Sequence, residues 1–183
     1  MAARGTKRQT QQGGAEFITA SVEETQALGE RLGGLLQAGD VVALHGELGS
    51  GKTTLIQGIA QGLGRDPASI KSPTFVLMRE YPGDLPVVHI DGYRLEGAPA
   101  VSWLDLDLIF SPHKLTLIEW AERFERLLPD ERLEVRLSHI SANRRRLIIS
   151  GHGSRAERIV KELAPTSSGP QPAAEPEPHV TGD

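Results

Sequence analysis

The chain has 183 residues, of which 38% are hydrophobic and 24% charged, the profile of one water-soluble domain of ordinary size with room for tails. No run approaches the ~18 apolar residues of a membrane helix, and the absence of cysteine rules out disulfides, thiolate zinc sites and a cysteine nucleophile. A net charge of -4 does not mark a nucleic-acid binder.

Residues 1–14 carry Arg4, Lys7 and Arg8 and no acid, with no apolar segment behind them as a secretory signal requires. We therefore expect a cytoplasmic protein without membrane contact and read 1–14 as a disordered tail. The domain is expected over 15–164. A short strand is predicted over 17–20. Ser21 with Glu24 three residues on forms a capping box. The helix it opens would carry Val22, Leu28, Leu32, Leu35 and Leu36 on one face and stop at Gly39. Residues 41–45 read as a strand buried on both faces, and 52–63 as a helix ended by Gly64 and Pro67. Two strands over 75–81 and 86–90 are joined by the Pro82-Gly83-Asp84 turn. A short helix is expected over 103–110, a buried strand over 115–118 and a helix over 121–128, halted by Pro129. A hairpin over 132–140 and 145–150 and a last helix over 154–163 complete the domain. Residues 165–183 hold five prolines and read as an extended acidic tail. Alternating strands and helices with hairpins at the margins predict an α/β sandwich around a mixed sheet.

The strongest chemical signal is Gly46-Glu47-Leu48-Gly49-Ser50-Gly51-Lys52-Thr53, a complete G-x-x-x-x-G-K-[ST] match with a buried strand leading in and a helix leading out. Glycines let the backbone aim successive N–H groups at a phosphate, and the helix adds its positive end. Lys52 would reach the β- and γ-phosphates, and the Thr53 hydroxyl would hold Mg²⁺. Such a site also needs a carboxylate at the end of a neighbouring strand. Glu119 follows the apolar run 115–118 in the Walker-B manner, and Asp91 follows 87–90 similarly. Thr74, in Ser72-Pro73-Thr74, is placed either as a switch threonine or as a hydroxyl cap on a proline turn.

These segments occur together in one order: 46–54, Ser72-Pro73-Thr74-Phe75, Asp91-Gly92-Tyr93-Arg94-Leu95 and Ile118-Glu119-Trp120. The order resembles the TsaE (YjeE) family, the bacterial ATPases of tRNA threonylcarbamoyladenosine biosynthesis, over about 17–163. The resemblance implies a P-loop NTPase-like three-layer sandwich with a mixed, mainly parallel central sheet and a C-terminal hairpin plus helix. It implies ATP and Mg²⁺ as cofactors and slow intrinsic hydrolysis. It also implies action with TsaB- and TsaD-type partners, TsaD making the transfer and tRNA being met only through the complex. Nucleotide contacts are implied at Glu47, Leu48, Gly49, Ser50, Gly51, Lys52, Thr53, Thr54 and Thr74. Lys52, Asp91 and Glu119 are the implied catalytic set, with Thr53 and Glu119 at the metal. Trp120 would contact the nucleotide region or a partner, or serve as a core aromatic. Gly92 stands where a bulkier residue is commoner in the family, which leaves open whether the geometry of Asp91 is looser here.

A catalytic arginine is sought in Arg94 or Arg123, or in a partner. Arg144-Arg145-Arg146 reads as a solvated hairpin tip, with tRNA contact as its functional alternative. His45 and His89 read as packing residues. Two other functions compete: a small-molecule kinase, although the arginine-bearing lid usual in such enzymes is not visible in this sequence, and a non-hydrolysing module gated by nucleotide.

Overall fold

Val41 to Leu44 have no polar side chain to satisfy, so both faces of their strand can be covered. All four are buried at the centre of the sheet. The computed structural model describes residues 14–75, 77–95 and 105–164. Residues 1–13 of the expected N-terminal tail, the whole expected C-terminal tail and the start of the 103–110 segment lie outside these. In chain order the elements are β1 (Ala15–Thr19), α1 (Val22–Gly33), β2 (Val41–His45), α2 (Lys52–Gly62), β3 (Met78–Tyr81) and β4 (Val87–Asp91). There follow α3 (Leu106–Ile109), β5 (Leu115–Glu119), β6 (Arg132–His139), β7 (Arg145–His152) and α4 (Ser154–Leu163), with short 3-10 turns at Pro67–Ser69 and Ala121–Phe124.

One seven-stranded sheet runs β1-β7-β6-β2-β5-β4-β3. Its four central strands are parallel, and antiparallel pairings close both margins. The sheet divides the core in two. Val42, Leu44, Leu117 and Leu147 face α1, α2 and α4, while Val41, Ala43, Ile90 and Ile118 face α3 and the turn at Ala121–Phe124. The expected three layers are present, the second helical layer being thin.

Helix α2 is the element that orients the site, and α1 fixes it. A side-chain carbon on Gly58 would stand 2.1 Å from the carbonyl oxygen of Gln26, and one on Gly33 2.3 Å from that of Ile59. Only hydrogen fits at these crossings, so the two helices meet backbone to backbone. Ser21 Oγ accepts the Glu24 amide at 3.1 Å, as the capping box predicts, while Glu24 Oε2 accepts from Ala20 N at 2.6 Å.

Three expected boundaries are corrected. Helix α1 ends at Gly33 rather than Gly39, because the adjacent Gly34 adds a second residue of low helix propensity. Leu35 and Leu36 reach the core from the following turn. Strand β3 begins at Met78 rather than Phe75. Leu77 adopts φ 66° and closes a turn onto Pro73 O, leaving Phe75 85% exposed. The segment after Glu119 is a 3-10 turn over Ala121–Phe124, not a helix over 121–128. Trp120, at φ 57°, leads into that turn without a side-chain cap.

Candidate functional site

Strands β4 and β5 run in parallel register with Asp91 beside Glu119, so both acids emerge at the edge of the sheet where β2 delivers the glycine loop. The loop turns into α2 at Gly51, whose φ of 106° is left-handed and strains any residue with a side chain. No side chain caps α2, so its first amides stay directed at the loop and its positive end is uncompensated. Lys52 is buried, and its Nζ donates to Gly46 O at 2.6 Å and Glu47 O at 3.0 Å. The ammonium also sits 4.1 Å from the Trp120 ring centroid. Burial pulls its pKa down, against the opposing pull of the Glu119, Glu122 and Asp91 carboxylates.

Thr53 Oγ1 lies 3.0 and 2.9 Å from the two oxygens of Glu119. On the far side, the fully buried His89 places Nε2 2.9 Å from Glu119 Oε1. Its Nδ1 is buried without a partner among the described residues. The neutral tautomer with hydrogen on Nε2 fits both facts: it donates to the carboxylate and leaves only a lone pair unmatched. Asp91 turns to the switch segment instead. Its Oδ2 accepts from Ser72 Oγ and, at 2.5 Å, from Thr74 Oγ1, while Oδ1 accepts the Tyr93 amide at 2.9 Å. Ser72 and Thr74 hydroxyls are 2.6 Å apart. Gly92 does not loosen this arrangement: its amide bonds Glu119 O, and a side-chain carbon there would stand 2.7 Å from Phe124 Cε2.

Leu48, Gly49, Gly51, Lys52, Thr53, Thr54, Thr74, Asp91 and Glu119 line one cavity of about 480 Å³. Two residues of the expected set do not line it. Ser50 is buried behind the loop, and Glu47 presents its carbonyl to Lys52. Trp120 also lines it, its ring centroid 5.1 Å from that of Tyr93. Of the two arginines sought, Arg94 lines the cavity over the Phe75 ring, and Arg123 is engaged outside it. Among the described residues no three His, Asp or Glu side chains converge as a metal cage. One carboxylate with one hydroxyl, both hard oxygen donors, fits instead a cation that keeps waters and phosphate oxygens, as Mg²⁺ does.

Sequence reasoning missed Ser72 and His89 as site residues. Strand alternation puts His89, two positions before Asp91, on the same face as that acid, but its contact with Glu119 depends on the register of β4 against β5.

The profile of the family described as "Threonylcarbamoyl adenosine biosynthesis protein TsaE" matches residues 19–147. The chain belongs to the TsaE family. The tRNA threonylcarbamoyladenosine biosynthesis protein TsaE of Bacillus subtilis is 37% identical over 150 residues, covering 81% of this chain and 93% of the relative. That of Streptomyces coelicolor is 43% identical over 136 residues, 70% of this chain and 90% of its own length. The crystal structure of Bacillus subtilis YdiB matches this TsaE-family fold with a TM-score of 0.68 at 34% identity, covering 82% of this chain and 93% of that one. No helix among the described residues is long and apolar enough to cross a membrane.

Proposed function

We propose that this chain binds ATP with Mg²⁺ and hydrolyses it slowly in support of N6-threonylcarbamoyladenosine formation on tRNA. It acts with TsaB- and TsaD-type proteins, does not make the transfer itself, and meets tRNA only through them. Membership of the TsaE family supports the pathway. The observation that carries the chemistry is the Thr53 hydroxyl shared by both oxygens of Glu119 at the uncapped start of α2, one residue from Lys52.

Each residue then has a distinct task. The amides of 47–54 and the start of α2 receive phosphate oxygens. Lys52 trades the carbonyls of Gly46 and Glu47 for phosphate, the stronger charge-assisted partner. Thr53 and Glu119 hold the cation, which supplies charge neutralisation on the phosphates when bound. Asp91 holds Ser72 and Thr74, whose hydroxyls line the same cavity, and so couples the switch segment to nucleotide. That same contact favours a second reading, a module gated by nucleotide without turnover, since Asp91 is spent on the switch hydroxyls.

Titration of ATP with Mg²⁺ or with EDTA tests the site. The wild type is expected to bind more tightly with Mg²⁺, and Lys52→Ala to lose most of its affinity. Binding untouched by Lys52→Ala would contradict the assignment.

A further inference from the structure

Of the three adjacent arginines at the β6–β7 hairpin, only two behave as a solvated tip. Arg146 points to the outer face of β7 and pairs with Glu16 at 3.0 Å. Arg145 shares its face with the buried Leu147 and Ile149, because strand side chains alternate, and that face carries α2. A side-chain carbon on Gly51 would stand 3.0 Å from Arg145 Nε and 3.1 Å from its Cδ. The arginine therefore lies against the residue from which α2 starts. Among the described residues its buried Nε has no hydrogen-bond partner, and no carboxylate pairs with it there. Directly across the ladder is His139, whose Nε2 would be 3.9 Å from a side-chain carbon on Gly49. The two side chains thus flank the glycine loop from the hairpin side.

A buried, unpaired guanidinium N–H beside an uncapped helix start and a buried lysine is costly unless an anion meets all three. The loop also has a direction. Thr53 and Glu119 mark its β5 side, while Arg145 reaches Gly51 from β7, three strands along the sheet order. On the nucleotide reading, terminal phosphates at Thr53 and Glu119 would leave Arg145, against Gly51 at the rim of the same loop, to a phosphate nearer the nucleoside.

We propose that Arg145 is a nucleotide-binding residue that takes the α-phosphate, with His139 beside it on the nucleoside side of the loop. This deepens the nucleotide reading above and rests on it. The contact involves a phosphate common to ADP and ATP, which distinguishes it from an arginine acting on the γ-phosphate.

The test is calorimetric titration of ADP and ATP, each with Mg²⁺, into the full-length wild type, Arg145→Gln, Arg145→Lys and Arg146→Gln. Thermal unfolding of each protein without nucleotide runs beside it. Arg145→Gln is expected to weaken both nucleotides by the same factor, about 10- to 100-fold, as loss of a charge-assisted hydrogen bond gives. Arg145→Lys should lose less, and Arg146→Gln nothing. If Arg145→Gln fails to fold, a loss in Arg145→Lys shared equally by ADP and ATP supports the assignment in its place. Unchanged affinities in the variants, or a loss confined to ATP, would overturn the assignment while leaving the nucleotide site intact. A wild type that binds neither nucleotide would overturn the nucleotide reading itself.

Discussion

Glu119 is held from two sides, by the Thr53 hydroxyl and by His89, and this sets what its neighbours are worth. A carboxylate fixed by a buried donor presents its oxygens in one orientation, and losing such a supporting partner typically costs 10- to 100-fold in metal affinity. His89→Leu should therefore cut the Mg²⁺-dependent part of ATP affinity by about tenfold, with affinity in EDTA unchanged. His89→Gln, which offers an amide N–H in its place, should recover most of it. Equal Mg²⁺ titrations for wild type and His89→Leu would show that the contact is packing alone. Glu119→Gln should weaken the same dependence more strongly, because it removes the charge itself. Lys52, Thr53 and Glu119 were legible in the sequence because a loop motif and a strand end set their positions locally. The task of His89 was not, because it depends on the register of β4 against β5, which only the folded sheet supplies. For the same reason Arg145 reads as one of three solvated cations until its strand face is known.

At the scale of elements, the phosphate loop works from a platform of two helices in backbone contact. Gly58→Ala would drive a methyl group to within 2.1 Å of Gln26 O, so α1 must move. Overpacking of this kind costs about 1–3 kcal/mol, and urea denaturation of the apo-protein should show the loss at unchanged slope. A Gly58→Ala variant as stable as wild type would mean that the crossing is looser than the structure has it. Hydrophobic periodicity foretold both helices and every strand from β1 to β7, since burial dictates where apolar residues recur. It did not foretell this crossing, because glycine carries no periodic signal. It also extended β3 into the switch segment, where Phe75 and Leu77 have strand-like side chains. There the hydroxyls of Ser72 and Thr74 bonding to Asp91, and the turn onto Pro73, decide the backbone instead.

Across the whole molecule, the sheet face opposite α1, α2 and α4 carries a charge cluster beside its thin helical cover. His45 ends β2 there, 3.5 Å from Glu122. Burial, and then the Arg136 charge, push its pKa below 6.5, while Glu134 and Glu122 pull the other way. The folded protein then binds this proton less readily than the unfolded chain. Its stability is full above about pH 6.5 and declines as pH falls from there toward the folded-state value. Burial pushes Glu134 up, but Arg132, His152 and His45 together outweigh it and hold its pKa below 4.5, so it loses its share only at lower pH. Denaturation between pH 7 and pH 5.5 should show wild-type stability falling, and His45→Asn should flatten that fall. An identical slope in the variant would assign it elsewhere. The same sheet brings the glycine loop, the switch segment and both acids to one edge, and turnover is what that edge is proposed to deliver. Phosphate release from Mg-ATP should therefore be followed with the chain alone and with a TsaB–TsaD pair, Lys52→Ala serving as the blank. We expect slow release alone and a strong rise with the pair. ATP bound with no release in either condition would contradict the hydrolytic account and leave a nucleotide-gated binding module in its place.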